Sequence, residues 1–190
     1  MSQTVRQILT AVKAVLALTV ILGVVYPLVM LGVGQLGLHR QAHGSLIASD
    51  GQVVASALIG QSFDGDQWFQ PRPSAGDYDA LASGGTNAGP NDGELAATID
   101  QRRRDIAARD GVAAGHVPTD AVTASGSGLD PFISPGYADQ QVQRVAQARS
   151  LAADRVQALV AEHTQGRAWG FLGQPRVNVV ELNLALQQLS

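Results

Sequence analysis

Polar and apolar positions divide this chain unevenly. From Ala14 to Leu38, 25 residues pass without an Asp, Glu, Lys or Arg, bracketed by Lys13 on one side and His39 and Arg40 on the other. A helix of that length is about 38 Å long, more than the ~30 Å hydrocarbon core of a bilayer. The pattern predicts a transmembrane helix. A cleaved signal peptide needs a shorter apolar region and a small-residue cleavage site, and Gly37, Leu38, His39 and Arg40 offer none.

Beyond the anchor the pattern becomes short-ranged. Ser45–Ala48 and Gln52–Leu58 are β-prone runs on either side of Ser49, Asp50 and Gly51, which predicts a hairpin. Breakers then dominate from Phe69 to Asp92. Trp68, Phe69, Tyr78 and Leu81 lie in or beside this stretch, so it is expected to be an ordered, packed loop and a candidate binding surface.

Asp92 or Asn91 is placed to cap a helix whose Leu95, Ile99 and Ile106 face inward, with Arg102, Arg104, Asp105 and Arg109 outward. After the Gly-, Ser- and Pro-rich Val117–Pro135, Val142, Val145 and Ala146 mark one amphipathic stretch and Val156, Leu159 and Val160 another. Asn178 and Glu181, three apart, open a last helix with Val179, Leu182, Ala185, Leu186 and Leu189 on its apolar face. With Phe171–Val177 β-prone, the order predicts one transmembrane helix followed by a single small mixed α/β domain of the α+β class.

Composition narrows the chemistry. Cysteine is absent, which removes thiolate metal sites and Cys nucleophiles. The only lysine is Lys13, so a Walker A loop and Schiff-base chemistry are excluded. From Arg40 onward there are 11 Arg against 16 Asp and Glu, a net of −5, which does not suggest a nucleic-acid partner. Arg6, Lys13 and the amino terminus precede the anchor, whereas Arg40 is the only Lys or Arg between it and Arg72. The positive-inside rule then makes residues 1–13 a cytoplasmic N-terminus, 14–38 the transmembrane helix and 39–190 an extracytoplasmic domain.

Gly32, Gly34 and Gly37 spell a dinucleotide fingerprint but lie inside the apolar helix. There, with the mid-helix Pro27 and the kink it implies, they read as places where other helices approach. Ser125 and Ser127 invite a serine-nucleophile reading, although neither completes the G-x-S-x-G elbow. Ser125, Gly126, Ser127 and Gly128 are also candidates for a backbone anion nest that binds a nucleotide. His39, His43, His116 and His163 have no metal-ligand spacing, and no residue is assigned a catalytic or metal-binding role.

Several blocks together are recognisable. They are Gly44–Ile47, Leu58–Gln61, Pro71–Ala75 (PRPSA), Ala82–Asn87 (ASGGTN), Val122–Pro131 (VTASGSGLDP) with Ile133–Pro135, and Pro175–Leu186 (PRVNVVELNLAL). In this order they resemble the C subunit of the bacterial Kdp potassium-transporting ATPase over nearly the whole chain. Phe132 and Gln70 stand where that family often has histidine.

The resemblance implies a non-catalytic, single-pass inner-membrane subunit with a periplasmic domain. It implies assembly with a potassium-translocating subunit, a P-type ATPase subunit and a small hydrophobic subunit. It also implies a catalytic-chaperone role that raises the ATP affinity of the ATPase subunit through a ternary complex with ATP, with no intrinsic cofactor. The charge count sets the domain across the membrane from cytoplasmic ATP. Coupling through the helix, or a cap over the translocator's entrance, therefore fits better than nucleotide contact. Pro27, Gly32, Gly34, Arg72, Ser74, Gly84, Gly85, Asn87 and Asp130 are the candidate partner contacts. The competing readings are a membrane-tethered periplasmic serine hydrolase and a ligand-binding module.

Overall fold

The computed structural model describes residues 2–49 and 51–189. By its internal contacts the chain separates into two units, Met1–Leu46 and Ile47–Ser190.

The first unit is dominated by one uninterrupted helix, Gln3–Gly37, of 35 residues. From Ala14 to Gly37 it carries no charged residue and its large apolar side chains face outward, which suits a lipid surrounding. Ser2 caps its start, accepting from the Val5 amide at 3.4 Å. Helix α1 (Gln3–Val20) passes into a π-turn at Ile21–Val25 and then into α2 (Tyr26–Gly37). The π-turn precedes Pro27, whose ring removes the amide that would have bonded the Gly23 carbonyl. The disturbance expected at this proline thus takes the form of a widened turn. A short α3 (His39–Ala42) follows.

The hairpin expected from the two β-prone runs is present as β1 (Leu46–Ser49) and β2 (Gln52–Ser56), the second strand ending two residues short of Leu58; Asp50, placed at its turn, lies outside the described residues. Among the described residues no helix or strand follows until α4 (Gly93–Asp110). Asp92 caps this helix, its Oδ1 accepting from the amides of Glu94 and Leu95 at 2.8 and 3.2 Å. Gly111, at φ 67°, ends it in the left-handed region that glycine adopts without cost. A 3₁₀ turn and α5 (Thr119–Val122) lead to β3 (Phe132–Ile133). Then come α6 (Pro135–Arg149), α7 (Ala153–Glu162), β4 (Thr164–Gln165), β5 (Arg176–Asn178) and α8 (Val179–Gln188).

The second sheet is antiparallel in the order β3-β5-β4, with Ile133 opposite Val177 and Thr164 opposite Val177. Helices α6, α7 and α8 supply the apolar mass that covers it. Val142, Val145, Val156, Val160, Leu182 and Leu186 join Ile133, Val177, Phe69 and Tyr137 in one buried cluster. Asn178 belongs to both sheet and helix. Its Oδ1 accepts from the Val180 and Glu181 amides, and its Nδ2 donates to the Ala57 carbonyl 121 residues away. The sequence places Asn178 as a helix cap; its hold on the strand-proximal loop is an additional role.

Three local expectations are corrected. Leu81 is 98 % exposed rather than packed. Arg102 and Arg109 turn inward from α4, because their long arms reach buried acceptors: Arg102 Nη1 donates to the Val122 carbonyl at 3.2 Å and Arg109 Nη2 to the Tyr137 hydroxyl at 3.1 Å. The β-prone Phe171–Val177 run is strand only at its end, since Phe171 and Leu172 sit in an exposed turn.

Candidate functional site

Two segments without regular structure, Pro71–Asn87 and Thr123–Asp130, are stitched together. The Ser74 hydroxyl is the central knot. It donates to the Gly128 carbonyl at 2.7 Å and accepts from the amides of Gly76 and Tyr78 at 3.2 and 3.0 Å. The Gly84 amide and the Ser83 hydroxyl both donate to the Ser127 carbonyl, at 2.9 and 3.0 Å. The Ser125 amide donates to the Pro73 carbonyl at 3.3 Å. A chain this poor in local periodicity is ordered by such cross-links, each worth about 1 kcal/mol net.

The glycines permit the approach. At Gly128, φ 68°, a Cβ would stand 2.9 Å from the Gly84 carbonyl oxygen, and at Gly85 a Cβ would stand 3.2 Å from that of Gly126. Gly84 and Gly126 themselves face open space. Gly60, from the segment before, donates its amide to Leu129 O at 2.8 Å and has room for no side chain beside Tyr78 and Asp130.

Arg72 and Asp130 close the platform with an ion pair, Nη1 to Oδ2 at 3.1 Å, each side chain about a quarter exposed. Arg72 Nη2 also donates to Thr123 O at 3.4 Å, and its Nε lies buried without a partner among the described residues. Asp130 Oδ1 accepts from the Phe132 amide at 3.0 Å, so one carboxylate orients both loop and strand. The Tyr78 hydroxyl donates to the Arg72 carbonyl. Burial pushes its pKa well above the ordinary tyrosine value, and the nearby Asp130 carboxylate adds to the rise. Beside the pair opens a groove of about 900 Å³ lined by Arg72, Asp120, Asp130, Phe132, Ser134 and Arg176.

The sequence-derived candidates divide accordingly. Arg72, Ser74, Gly84, Gly85 and Asp130 come together with Ser125–Gly128, whereas Asn87 (φ 55°) is exposed. Pro27, Gly32 and Gly34 belong to the other unit. Of the four nest candidates, the amides of Ser125 and Gly128 are already bonded, the latter to Ser125 O at 3.3 Å. The Ser127 hydroxyl accepts from the Leu129 amide at 3.1 Å. Neither Ser125 nor Ser127 bonds a histidine among the described residues, so neither has a general base at hand. No group of three His, Asp or Glu able to hold a metal occurs among the described residues.

A second cluster went unread in the sequence. Arg144 reaches from α6 into the loop ahead of the platform, donating to Asp110 Oδ1 (2.8 Å), to the carbonyls of Asp66 (2.5 Å) and Trp68 (3.0 Å) and to Gln141 Oε1 (2.6 Å). Gln141 and Gln70 exchange a pair of bonds, as do Asn183 and Phe69. Two helices therefore grip Asp66–Gln70 and fix where Arg72 and Ser74 start. The signal lay in Tyr137, Gln141 and Arg144, which continue the inward stripe of α6 at spacings of four and three.

A bilayer-length helix followed by an α+β domain, whose glycine-rich loops are locked into a platform rather than a cleft with an activated nucleophile, defines the class. This is the class of single-pass membrane proteins with a small α+β domain after the helix. Residues 8–188 match the family KdpC, "K+-transporting ATPase, c chain", and the chain belongs to that family. It is 55 % identical over 189 residues to the Potassium-transporting ATPase KdpC subunit of Kineococcus radiotolerans, covering 98 % of this chain and 96 % of that one. Its relative of the same description in Gemmatimonas aurantiaca is 55 % identical over 177 residues, covering 92 % and 88 %. That of Mycobacterium tuberculosis H37Rv is 50 % identical over 187 residues, covering 97 % and 99 %.

Proposed function

We propose that this chain is the non-catalytic, single-pass inner-membrane subunit of an ATP-driven potassium uptake pump. Its N-terminus lies in the cytoplasm and its domain in the periplasm. Its partners in this reading are the potassium-translocating, ATP-hydrolysing and small hydrophobic subunits of that pump. Family membership supports the assembly, and the basic residues Arg6 and Lys13 ahead of the helix support the orientation.

The observation that carries the reading is the locked loop pair. A surface held by Ser74, Gly84, Gly128 and the Arg72–Asp130 pair is pre-organised, which lowers the ordering cost of protein docking. The same bonds consume half of the amides a phosphate nest at Ser125–Gly128 would use. A rise in the ATP affinity of the ATPase subunit, the catalytic-chaperone role, therefore belongs to the assembled complex. It acts through Pro27, the π-turn and Gly32 and Gly34 of the helix rather than by nucleotide contact at the serines.

The test is purification of the pump with and without this chain. Loss of assembly, or a raised KM for ATP that Ser125→Ala and Ser127→Ala do not reproduce, is the expected outcome. Unchanged assembly together with an unchanged KM overturns the proposal.

A further inference from the structure

The connection between β4 and β5 carries features that the platform does not use. Trp169 is 85 % exposed and Phe171 68 % exposed, with Leu172 beside them. Aromatic rings of this size are seldom left so bare on a surface that faces only water. Trp169 is also held at φ 51°, the left-handed region a bulky residue rarely adopts, with Gly170 at φ 82° and Gly173 at φ 78°.

Four backbone amides of this turn bond within it. Ala168 N donates to Leu172 O at 2.9 Å and Leu172 N to Ala168 O at 3.0 Å; Gly170 N donates to Arg167 O and Phe171 N to Ala168 O. With four of its amides bonded within the turn, the tip has fewer donors to strip of water on entering the headgroup region. Its charge differs from that of the domain around it. Between Glu162 and Glu181 there is no acidic residue, and Arg167 and Arg176, both exposed, flank the aromatic tip. Arg176 stacks on Phe132 at 3.9 Å, which holds one of the two cations in place.

We propose that the Arg167–Arg176 turn is a membrane-interface tip, which inserts Trp169, Phe171 and Leu172 at headgroup depth and pairs its arginines with anionic lipid phosphates. Trp and Phe favour that depth because their rings combine apolar area with tolerance of the wet boundary. The anchor in the same chain holds the domain beside a bilayer, so the tip needs no affinity of its own to find the surface. This rests on the anchored reading and not on the assembly with other subunits.

The experiment uses the full chain in nanodiscs, with Trp68→Phe so that Trp169 is the sole indole. The discs are phosphatidylcholine alone, or phosphatidylcholine with phosphatidylglycerol, each made with and without acyl chains brominated near the headgroup. The expected result is a blue-shifted Trp169 emission that the brominated lipids quench, more strongly in the anionic discs. Arg167→Gln should lower the inserted-to-free ratio about fivefold in anionic discs and little in neutral ones. An unquenched, water-like emission in both discs overturns the proposal. So does a blue shift that arises only when the other pump subunits are added, which assigns the tip to a protein contact. A chain that does not partition into the discs overturns the anchor as well, whereas an anchored chain with a wet indole overturns only the tip.

Discussion

Arg144 Nε lies 2.8 Å from Asp110 Oδ1 with the two side chains 6 % and 0 % exposed, the most deeply buried ion pair among the described residues. The fork of the same guanidinium holds the carbonyls of Asp66 and Trp68, so the pair ties α4, α6 and the loop that leads to the platform. Arg144→Ala leaves Asp110 buried with only Arg109 and Gln140 as partners. A loss of about 3–5 kcal/mol is expected in denaturant unfolding of the detergent-solubilised chain. Arg144→Lys should recover little of it, because an ammonium cannot span the four acceptors. A loss under about 1 kcal/mol would show that the network does not hold the loop.

Gly128 and Gly126 are two residues apart and should respond very differently to the same substitution. Gly128→Ala meets the Gly84 carbonyl at 2.9 Å and strains a left-handed residue, so the loops must part. A destabilisation of about 1–3 kcal/mol is expected, with reduced co-purification of the partner subunits. Gly126→Ala meets nothing within 4 Å and should stay within about 0.5 kcal/mol of the parent. Equal effects at the two positions would contradict a platform built on close backbone approach.

Much of this fold was legible wherever its cause is local. The anchor follows from 25 uncharged residues, and the caps Asp92 and Asn178 bond amides two and three residues on. Strands β3 and β4 have two residues each, too few for any periodicity, and are strands only because β5 lies between them. The platform was legible as residue types but not as geometry. Ser74 and Gly128 are 54 residues apart, and nothing near either names the other. Arg102 and Arg109 were misread because helical spacing places a Cβ but not the end of a long side chain.

Tyr78 and Tyr137 should make the domain's stability fall at alkaline pH. Burial raises both hydroxyls above the usual tyrosine value, with Asp130 adding to the rise at Tyr78. The folded state therefore holds these protons at a pH where the unfolded chain has released them. Their contribution is complete below the unfolded value of about 10 and falls as pH rises beyond it. Phenolate absorbance of Tyr78 and Tyr137 should appear only together with unfolding, and Tyr78→Phe should flatten the alkaline loss of stability. Absorbance that grows at ordinary tyrosine pH in a folded domain would contradict the burial of these hydroxyls.

Pro27 offers the sharpest test of what the anchor does. Its missing amide and the π-turn at Ile21–Val25 leave local carbonyls less committed than in a regular helix, and small residues Gly32 and Gly34 follow within two turns. A helix needed only as a tether gains from Pro27→Ala, since the interior bond returns and the proline penalty of about 3 kcal/mol is removed. A helix that packs against other helices loses the widened turn to which its partners are fitted. The expected outcome is an isolated chain whose helicity is equal or higher and whose co-purification with the partner subunits is lower. Higher helicity with undiminished co-purification would make the anchor a tether and move the coupling to the soluble domain.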